Sequence, residues 1–266
     1  MKIGIVGLGV VGKAMLNGFK KVGFDVFGHD IVLGTKIEDL IDTEIVYVCV
    51  PTPANADNSC NTDIVESVVD ELHNMSYNGV IAIKSTVTPG TTARLIKKHN
   101  NTKIMFVPEF LKERSAEYDF LHGHNVLVIG HSNIVESYIV ERCHATIAEK
   151  IIRTSPTEAE LIKYKHNMFG ALRVTFANTF FEICDQYDDV NYDTVKAGFV
   201  AKNKLPDEYL DVAPELRGYA GACFPKDAAA MDYLTQTELG LDLQLWENMI
   251  KENEKFTKTV FLGMRK

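Results

Sequence analysis

The 266 residues carry 36 acidic against 28 basic side chains, a net charge of −8, with 46% hydrophobic content. That balance argues against a nucleic-acid or anionic-membrane surface, which needs clustered Lys and Arg, and the length allows one large or two modest domains. The five cysteines (Cys49, Cys60, Cys143, Cys184, Cys223) are odd in number and form no CxxC pair, so neither a metal site nor a disulfide framework is expected. The chain opens directly on a strand, without a signal-peptide pattern, and no apolar run is long enough to span a bilayer. The expectation is a cytoplasmic, reduced protein with no membrane or nucleic-acid partner.

Lys2-Ile3-Gly4-Ile5-Val6 reads as a short strand and runs into Gly7-Leu8-Gly9-Val10-Val11-Gly12, followed by a helical pattern through Phe19. Strand, G-x-G-x-x-G and helix in this order form the dinucleotide-binding fingerprint, which rests the pyrophosphate on a helix N-terminus. Gly7, Gly9, Val11 and Gly12 are therefore candidate cofactor contacts. A second strand, Asp25–His29, ends at Asp30, at the position where an acidic side chain accepts from ribose hydroxyls and repels a 2′-phosphate. NAD is thus preferred over NADP; the alternative for Asp30 is a helix cap or a turn residue.

Further strands are expected over 44–50, 80–84, 103–107 and 125–129, with a helix from Thr62 to Met75 and a polar loop over 54–61. The near-continuous apolar runs suit parallel strands buried on both faces. Ligands in open α/β sheets bind at the carboxyl ends of the strands, so Thr52, Thr86 and Glu109 are candidates by position. Each could equally be only a cap.

After Thr154 the strand signals stop. Ser155-Pro156 opens a helix expected to reach Gln186, with apolar residues at 161, 162, 168, 169, 172, 176 and 180 on its buried face. Lys163 and Asn167 lie four apart on one face of it, as functional groups or as an ordinary surface charge and amide. Helices follow over 192–200, 224–239 and 242–262, with an irregular stretch between 202 and 222. The fold expected is α/β: a Rossmann-type doubly wound parallel sheet over 1–153, then an all-helical central and dimerisation domain over 154–266 with a long central helix.

Within that second half, Gly221-Ala222-Cys223-Phe224-Pro225-Lys226-Asp227 places a cysteine just before a helix. Proline suits a first helical turn, and the positive end of the helix dipole favours a thiolate. Gly218 and Gly221 leave the approach open, and Asp227 follows one turn on. This pattern fits an activated nucleophile. It also fits a small buried hydrophobe, as most thiols are.

Taken together, GLGVVG at 7–12, VPTP at 50–53, KSTVTPGTT at 84–92, PEFLKERSA at 108–116, ELIKYKHNMF at 160–169 and GACFPKD at 221–227 resemble the UDP-glucose/GDP-mannose dehydrogenase family over essentially the whole chain. The resemblance implies an NAD-dependent oxidation of a nucleotide sugar, UDP-glucose foremost, from primary alcohol to carboxylate in two steps. It implies that Cys223 is the nucleophile, that Lys163 and Asn167 hold the developing oxyanion, and that Asp227 assists proton transfer. Glu113 would act in thioester hydrolysis, Thr86 beside the nicotinamide, and Lys226 near the cofactor. Glu109, Phe110, Leu111, Glu113, Lys163, Asn167, Tyr219 and Gly221 would face the substrate. A homodimer through the long helix is implied as well.

Three departures from the family pattern stand out. The family carries a further C-terminal α/β domain that helps bind the nucleotide, whereas this sequence stops at Lys266, so a short form is expected. The connection from Asp30 to Glu44 is brief, and Arg114 and Ala220 stand where glycines are common. Arg114, Lys202, Lys204 and Arg217 are possible phosphate contacts or solvated charges. Two other readings stay open. One is a single-step β-hydroxyacid dehydrogenase, which has no need of the Cys223 segment; the other is a non-catalytic NAD-binding subunit.

Overall fold

A computed structural model describes residues 1–257. Seven strands form one sheet: β1 (Lys2–Val6), β2 (Asp25–His29), β3 (Ile45–Val48), β4 (Val80–Ile83), β5 (Ile104–Phe106), β6 (Leu127–Gly130) and β7 (Ile151–Thr154). Their spatial order is β2-β1-β3-β4-β5-β6-β7, all neighbours parallel except the antiparallel β5–β6 pair. Six of the seven lie where the apolar runs predict them. The seventh, β7, was not expected: Ile151-Ile152-Arg153-Thr154 holds only two apolar residues, and it pairs with β6 at the sheet edge.

Helices α1 (Val10–Lys21), α2 (Asp63–Asn74), α3 (Thr91–His99), α4 (Ala116–His122) and α5 (Ile134–His144) connect the strands. Alternate residues of each strand feed opposite faces, as the pleat dictates. Val46, Val48, Ile81, Ile83 and Phe106 pack under Val65, Val69 and Leu72 of α2 and Leu95 of α3. On the other face Ile45, Tyr47, Ala82, Met105 and Ile129 meet Met15 and Phe19 of α1, Phe120 of α4 and Val140 of α5. Every residue of β3 and β4 is buried. Close packing has its own signature at Gly18, where a Cβ would lie 2.2 Å from the Phe120 ring.

The long helix α6 (Pro156–Cys184) begins against this sheet. Gly130 lets it approach, since a Cβ there would stand 2.6 Å from Ala159 Cβ and 2.8 Å from Pro156 Cα. Glu160, fully buried, caps α3 from α6: it accepts from Gly90 N (2.6 Å) and Thr92 N (2.8 Å), orphan donors of that helix start.

The chain forms two compact units, residues 1–53 with 60–163, and residues 54–59 with 164 onward. The division between these units falls inside α6, at Lys163/Tyr164. The second unit holds the rest of α6 with α7 (Tyr192–Asn203), α8 (Phe224–Tyr233) and α9 (Leu245–Thr257). A π-helical turn, Leu234–Glu238, follows α8, and the part of the last expected helix beyond 257 lies outside the described residues. Asn178 of α6 accepts from Arg217 Nε (2.7 Å) and Gly218 N (3.1 Å). Asn253 of α9 brackets Tyr219, accepting from its N–H (2.7 Å) and donating to its carbonyl (3.0 Å). Two amides thus hold the irregular approach to α8, where no regular ladder can.

Beneath the first unit's sheet, His124 and His144 stack at 4.9 Å, and His144 Nε2 lies 3.1 Å from the Tyr47 hydroxyl. Burial, then the charge of Lys84, holds His124 down to about 4 although Glu109 opposes this; burial, Lys84 and His124 hold His144 well below its usual range. Both are neutral when folded and take up protons near pH 6.5 when unfolded. Stability is therefore full above pH 6.5 and is lost as pH falls toward 4, by about 3 kcal/mol from His124 alone. Urea midpoints at pH 7, 5.5 and 4.5 should fall in that order, and His124→Phe should flatten the series.

Candidate functional site

In the first unit the glycine loop leaves β1 and enters α1. Gly7 adopts φ +88°, and a Cβ there would meet Cys49 O at 2.7 Å. At Gly12 a Cβ would sit 1.9 Å from Gly7 O, so helix and strand can meet only at glycine. Gly9 is the N-cap of α1 and has open space where its Cβ would be. The cradle therefore presents bare backbone at a helix N-terminus, the surface a pyrophosphate takes. Val11 is partly buried beside it.

Asp30 closes this loop from β2. Its Oδ2 accepts from Leu8 N (2.7 Å) and its Oδ1 from Val32 N (2.9 Å). Those two backbone donors, Leu8 first, hold its carboxyl below the usual range despite some burial, so it stays ionised. It is thus a cap of the 3-10 turn Ile31–Leu33 as well as an acceptor, with a second lone pair on each oxygen for ribose hydroxyls. Glycine cradle and acidic ribose partner together fit NAD.

At the ends of the neighbouring strands, Thr52 is buried and Thr86 partly so, and the Thr86 carbonyl accepts from Cys60 Sγ. Ser85 ties the two strand ends, donating to Val48 O and Val50 O. Glu109 is placed inward: its Oε2 pairs with Lys84 Nζ at 2.9 Å, while its Oε1 accepts from Phe110 N (2.8 Å) and Leu111 N (3.1 Å). Burial pushes its carboxyl up, but the charge and hydrogen bond of Lys84, with the Phe110 N–H, outweigh this and hold it low. What Glu109 turns toward α6 is its carbonyl, which accepts from Lys163 Nζ at 2.5 Å. The Phe110 ring centroid lies 5.6 Å from the same ammonium. Glu113 and Arg114 are exposed on the 3-10 turn before α4.

In the second unit Cys223 is the N-cap of α8 and is exposed, with Pro225 in the first turn. Cys60, Cys143 and Cys184 are buried, and burial pushes the Cys49 and Cys143 thiols up to about 12. The first turn of α8 is seated on α6 at two levels. Phe224 lies where a Cβ on Gly170 would be, 2.6 Å away, and one turn back Asn167 Nδ2 donates to Asp227 Oδ2 at 2.6 Å. Asp227 is almost fully buried, and its Oδ1 pairs with Lys226 Nζ at 2.6 Å.

Gly221 has φ +85° and nothing near its missing Cβ. Tyr219 faces inward. It is fully buried, its phenol oxygen has no hydrogen-bond partner among the described residues, and burial followed by Glu254 pushes it up to about 12. Arg217, offered as a phosphate contact or a solvated charge, is neither. It is buried, bonded to Asn178 and Glu182, and stacked over Phe181 and Phe256. Sequence reasoning missed Lys84, Ser85 and Glu160; the last two sit just past a strand end and in the first turns of a helix, where polar residues are expected only as local caps.

The two inner glycines separate fold from binding. Gly9→Ala should leave Tm within about 1 °C, because its Cβ meets nothing, yet weaken NAD binding at least about tenfold by filling the phosphate cradle. Gly12→Ala should lower both, since its Cβ meets backbone. Calorimetric titration with NAD beside thermal unfolding checks the pair.

Comparison with known proteins agrees with this geometry. Residues 33–148 match the NAD binding domain of the UDP-glucose/GDP-mannose dehydrogenase family and residues 157–255 its central domain. The Bacillus subtilis protein YtcA is 33% identical over 202 residues, 72% of this chain and 46% of YtcA. The UDP-glucose 6-dehydrogenase of Rickettsia felis is 28% identical over 225 residues, 82% of this chain and 49% of that protein. The chain thus spans about half the length of the curated relatives it matches. Among solved structures, a UDP-glucose dehydrogenase from Pyrobaculum islandicum superposes with a TM-score of 0.84 at 24% identity, covering 96% of this chain and 68% of its own. A 3-hydroxyisobutyrate dehydrogenase from Mycobacterium tuberculosis shares the fold with a TM-score of 0.73 at 14% identity, covering 96% and 92%. Among the described residues no helix is long and apolar enough to cross a membrane. With both domain models matched in order over most of its length, the chain belongs to the UDP-glucose/GDP-mannose dehydrogenase family.

Proposed function

We propose that the chain carries out the NAD-dependent oxidation of a nucleotide sugar, UDP-glucose foremost, from primary alcohol to carboxylate through a thioester on Cys223. The observation that carries the reading is the start of α8. One exposed thiol stands at a helix N-terminus whose first turn is locked to α6 by the Asn167–Asp227 bond. NAD bound at the glycine cradle supplies the hydride acceptor.

The residues divide the remaining work. Asp227, held by Asn167 and Lys226, is the acid–base group that accepts the hydroxyl proton through water as the alcohol becomes an aldehyde. The Cys223 thiolate then forms a C–S bond to the aldehyde carbon. Lys163, fixed by the Glu109 carbonyl, and Asn167 one turn along α6 offer an ammonium and an amide donor to the oxygen that gains charge. Transfer of the second hydride to a second NAD leaves a thioester. Glu113 and Thr86 position the water whose attack breaks the C–S bond, releasing the carboxylate and returning the thiolate. Phe110, Leu111 and Gly221 contribute substrate-facing surface.

A single-step oxidation of the β-hydroxyacid type is the second reading, favoured by the fold shared with 3-hydroxyisobutyrate dehydrogenase over 92% of that chain. Counting NADH per sugar consumed separates them. Two NADH, with turnover abolished in Cys223→Ala, is expected; one NADH, unaffected by the substitution, would favour the second.

We also propose a homodimer through α6. Phe169, Phe176, Phe180 and Ile183 form one exposed stripe on that helix, joined by Phe199 of α7, with Phe176 and Phe180 centroids 4.8 Å apart. An apolar stripe repeating along one helix is suited to pack on its own copy. Sedimentation should give a dimer that Phe176→Asp with Phe180→Asp converts to monomer. A wild-type monomer at micromolar concentration would contradict it.

A further inference from the structure

Lys84 follows β4 directly, and its side chain has no exposed surface. Burying an ammonium is costly, and a well-packed apolar pair of the same volume is often as stable. The Lys84–Glu109 pair therefore calls for a reason other than stability. Its contacts supply one. Beyond β5 the chain over 108–111 has left the sheet ladder, its last rung being Val107 N to Ile83 O. Lys84 Nζ reaches Pro108 O (3.3 Å) and Glu109 Oε2 (2.9 Å), and Glu109 Oε1 takes Phe110 N and Leu111 N. Three backbone groups around Glu109 are thus tied to one buried charge pair. The fourth, Glu109 O, holds Lys163 Nζ, with the Phe110 ring against the same ammonium.

We infer that Lys84 is a positioning residue for Lys163, acting through Glu109. The buried pair takes the place of a sheet ladder and fixes the direction of one carbonyl, which in turn fixes where the Lys163 ammonium stands. The consequence for catalysis rests on the proposed role of Lys163 toward the oxyanion; the positional claim does not. His124 lies beside the pair and stays neutral, so Lys84 is the cation that serves Glu109.

The test uses the full chain with Lys84→Met and with Lys84→Met/Glu109→Gln. The double variant removes the stranded buried carboxylate, so it keeps the fold where the single one does not. Competitive acetylation with isotope-labelled acetic anhydride, read by peptide mass spectrometry, reports Lys163 without any need for turnover. Lys163 labelling should rise at least about threefold in the folded double variant, and kcat on the nucleotide sugar should fall about tenfold with KM for NAD unchanged. Wild-type labelling of Lys163 in that variant would overturn the inference. Raised labelling with unchanged kcat would overturn its catalytic consequence. A wild-type chain without turnover would count against the proposed function alone, because the labelling still decides the positioning.

Discussion

Parallel strands buried on both faces leave room for charged groups only where they end, and the first unit is built on that constraint. β3 and β4 carry no charged side chain, and the Tyr47 hydroxyl within β3 is matched by His144. At their carboxyl ends the chain places Thr52, Lys84, Ser85 and Thr86 in succession, each at the mouth of the sheet rather than within it. Because loops there lack ladder partners, other hydrogen bonds must hold them: Ser85 to Val48 and Val50, Asp30 to Leu8 and Val32, and the Lys84–Glu109 pair to Pro108, Phe110 and Leu111. The same bonds that satisfy stranded backbone set the direction of the groups offered to ligands.

The second unit solves a comparable problem without a sheet. An exposed thiol is useful to chemistry only if its helix start is fixed, and an irregular segment precedes α8. Asn178, Asn253 and Asn167 supply the fixing: the first two hold the backbone at 218–219, and the third clamps Asp227. Gly170 removes the side chain that would displace Phe224. Buried amides suit this task because each both donates and accepts. An apolar replacement at any of the three would strand a polar partner in the core.

Much of this was legible in the sequence, for physical reasons that differ by element. Apolar runs bounded by turns gave β1 to β6, and the glycine spacing gave the loop before α1, because no other residue fits Gly7 or Gly12. β7 escaped notice because an edge strand buries less and needs fewer apolar residues. Lys84 read as the polar end of a strand in water, since nothing local shows that its partner arrives from the segment after β5. Arg217 read as a phosphate contact or a solvated charge, yet its partners Asn178 and Glu182 come from α6, far away in sequence. Sequence periodicity finds an apolar face without saying what covers it: of the residues expected on the buried face of α6, Met168 is buried, whereas Leu161, Phe169, Phe176 and Phe180 are exposed. It also carries no record of which polar groups meet inside.

The proposed two-step oxidation depends on Cys223. Its most direct test is alkylation with iodoacetamide, mapped by peptide across the five cysteines, with and without NAD and nucleotide sugar, and with residual oxidation measured alongside. The arrangement predicts that Cys223 is modified first, that the ligands slow it, and that oxidation is lost in proportion to its modification. Full oxidation to the carboxylate by protein stoichiometrically alkylated at Cys223 would contradict it.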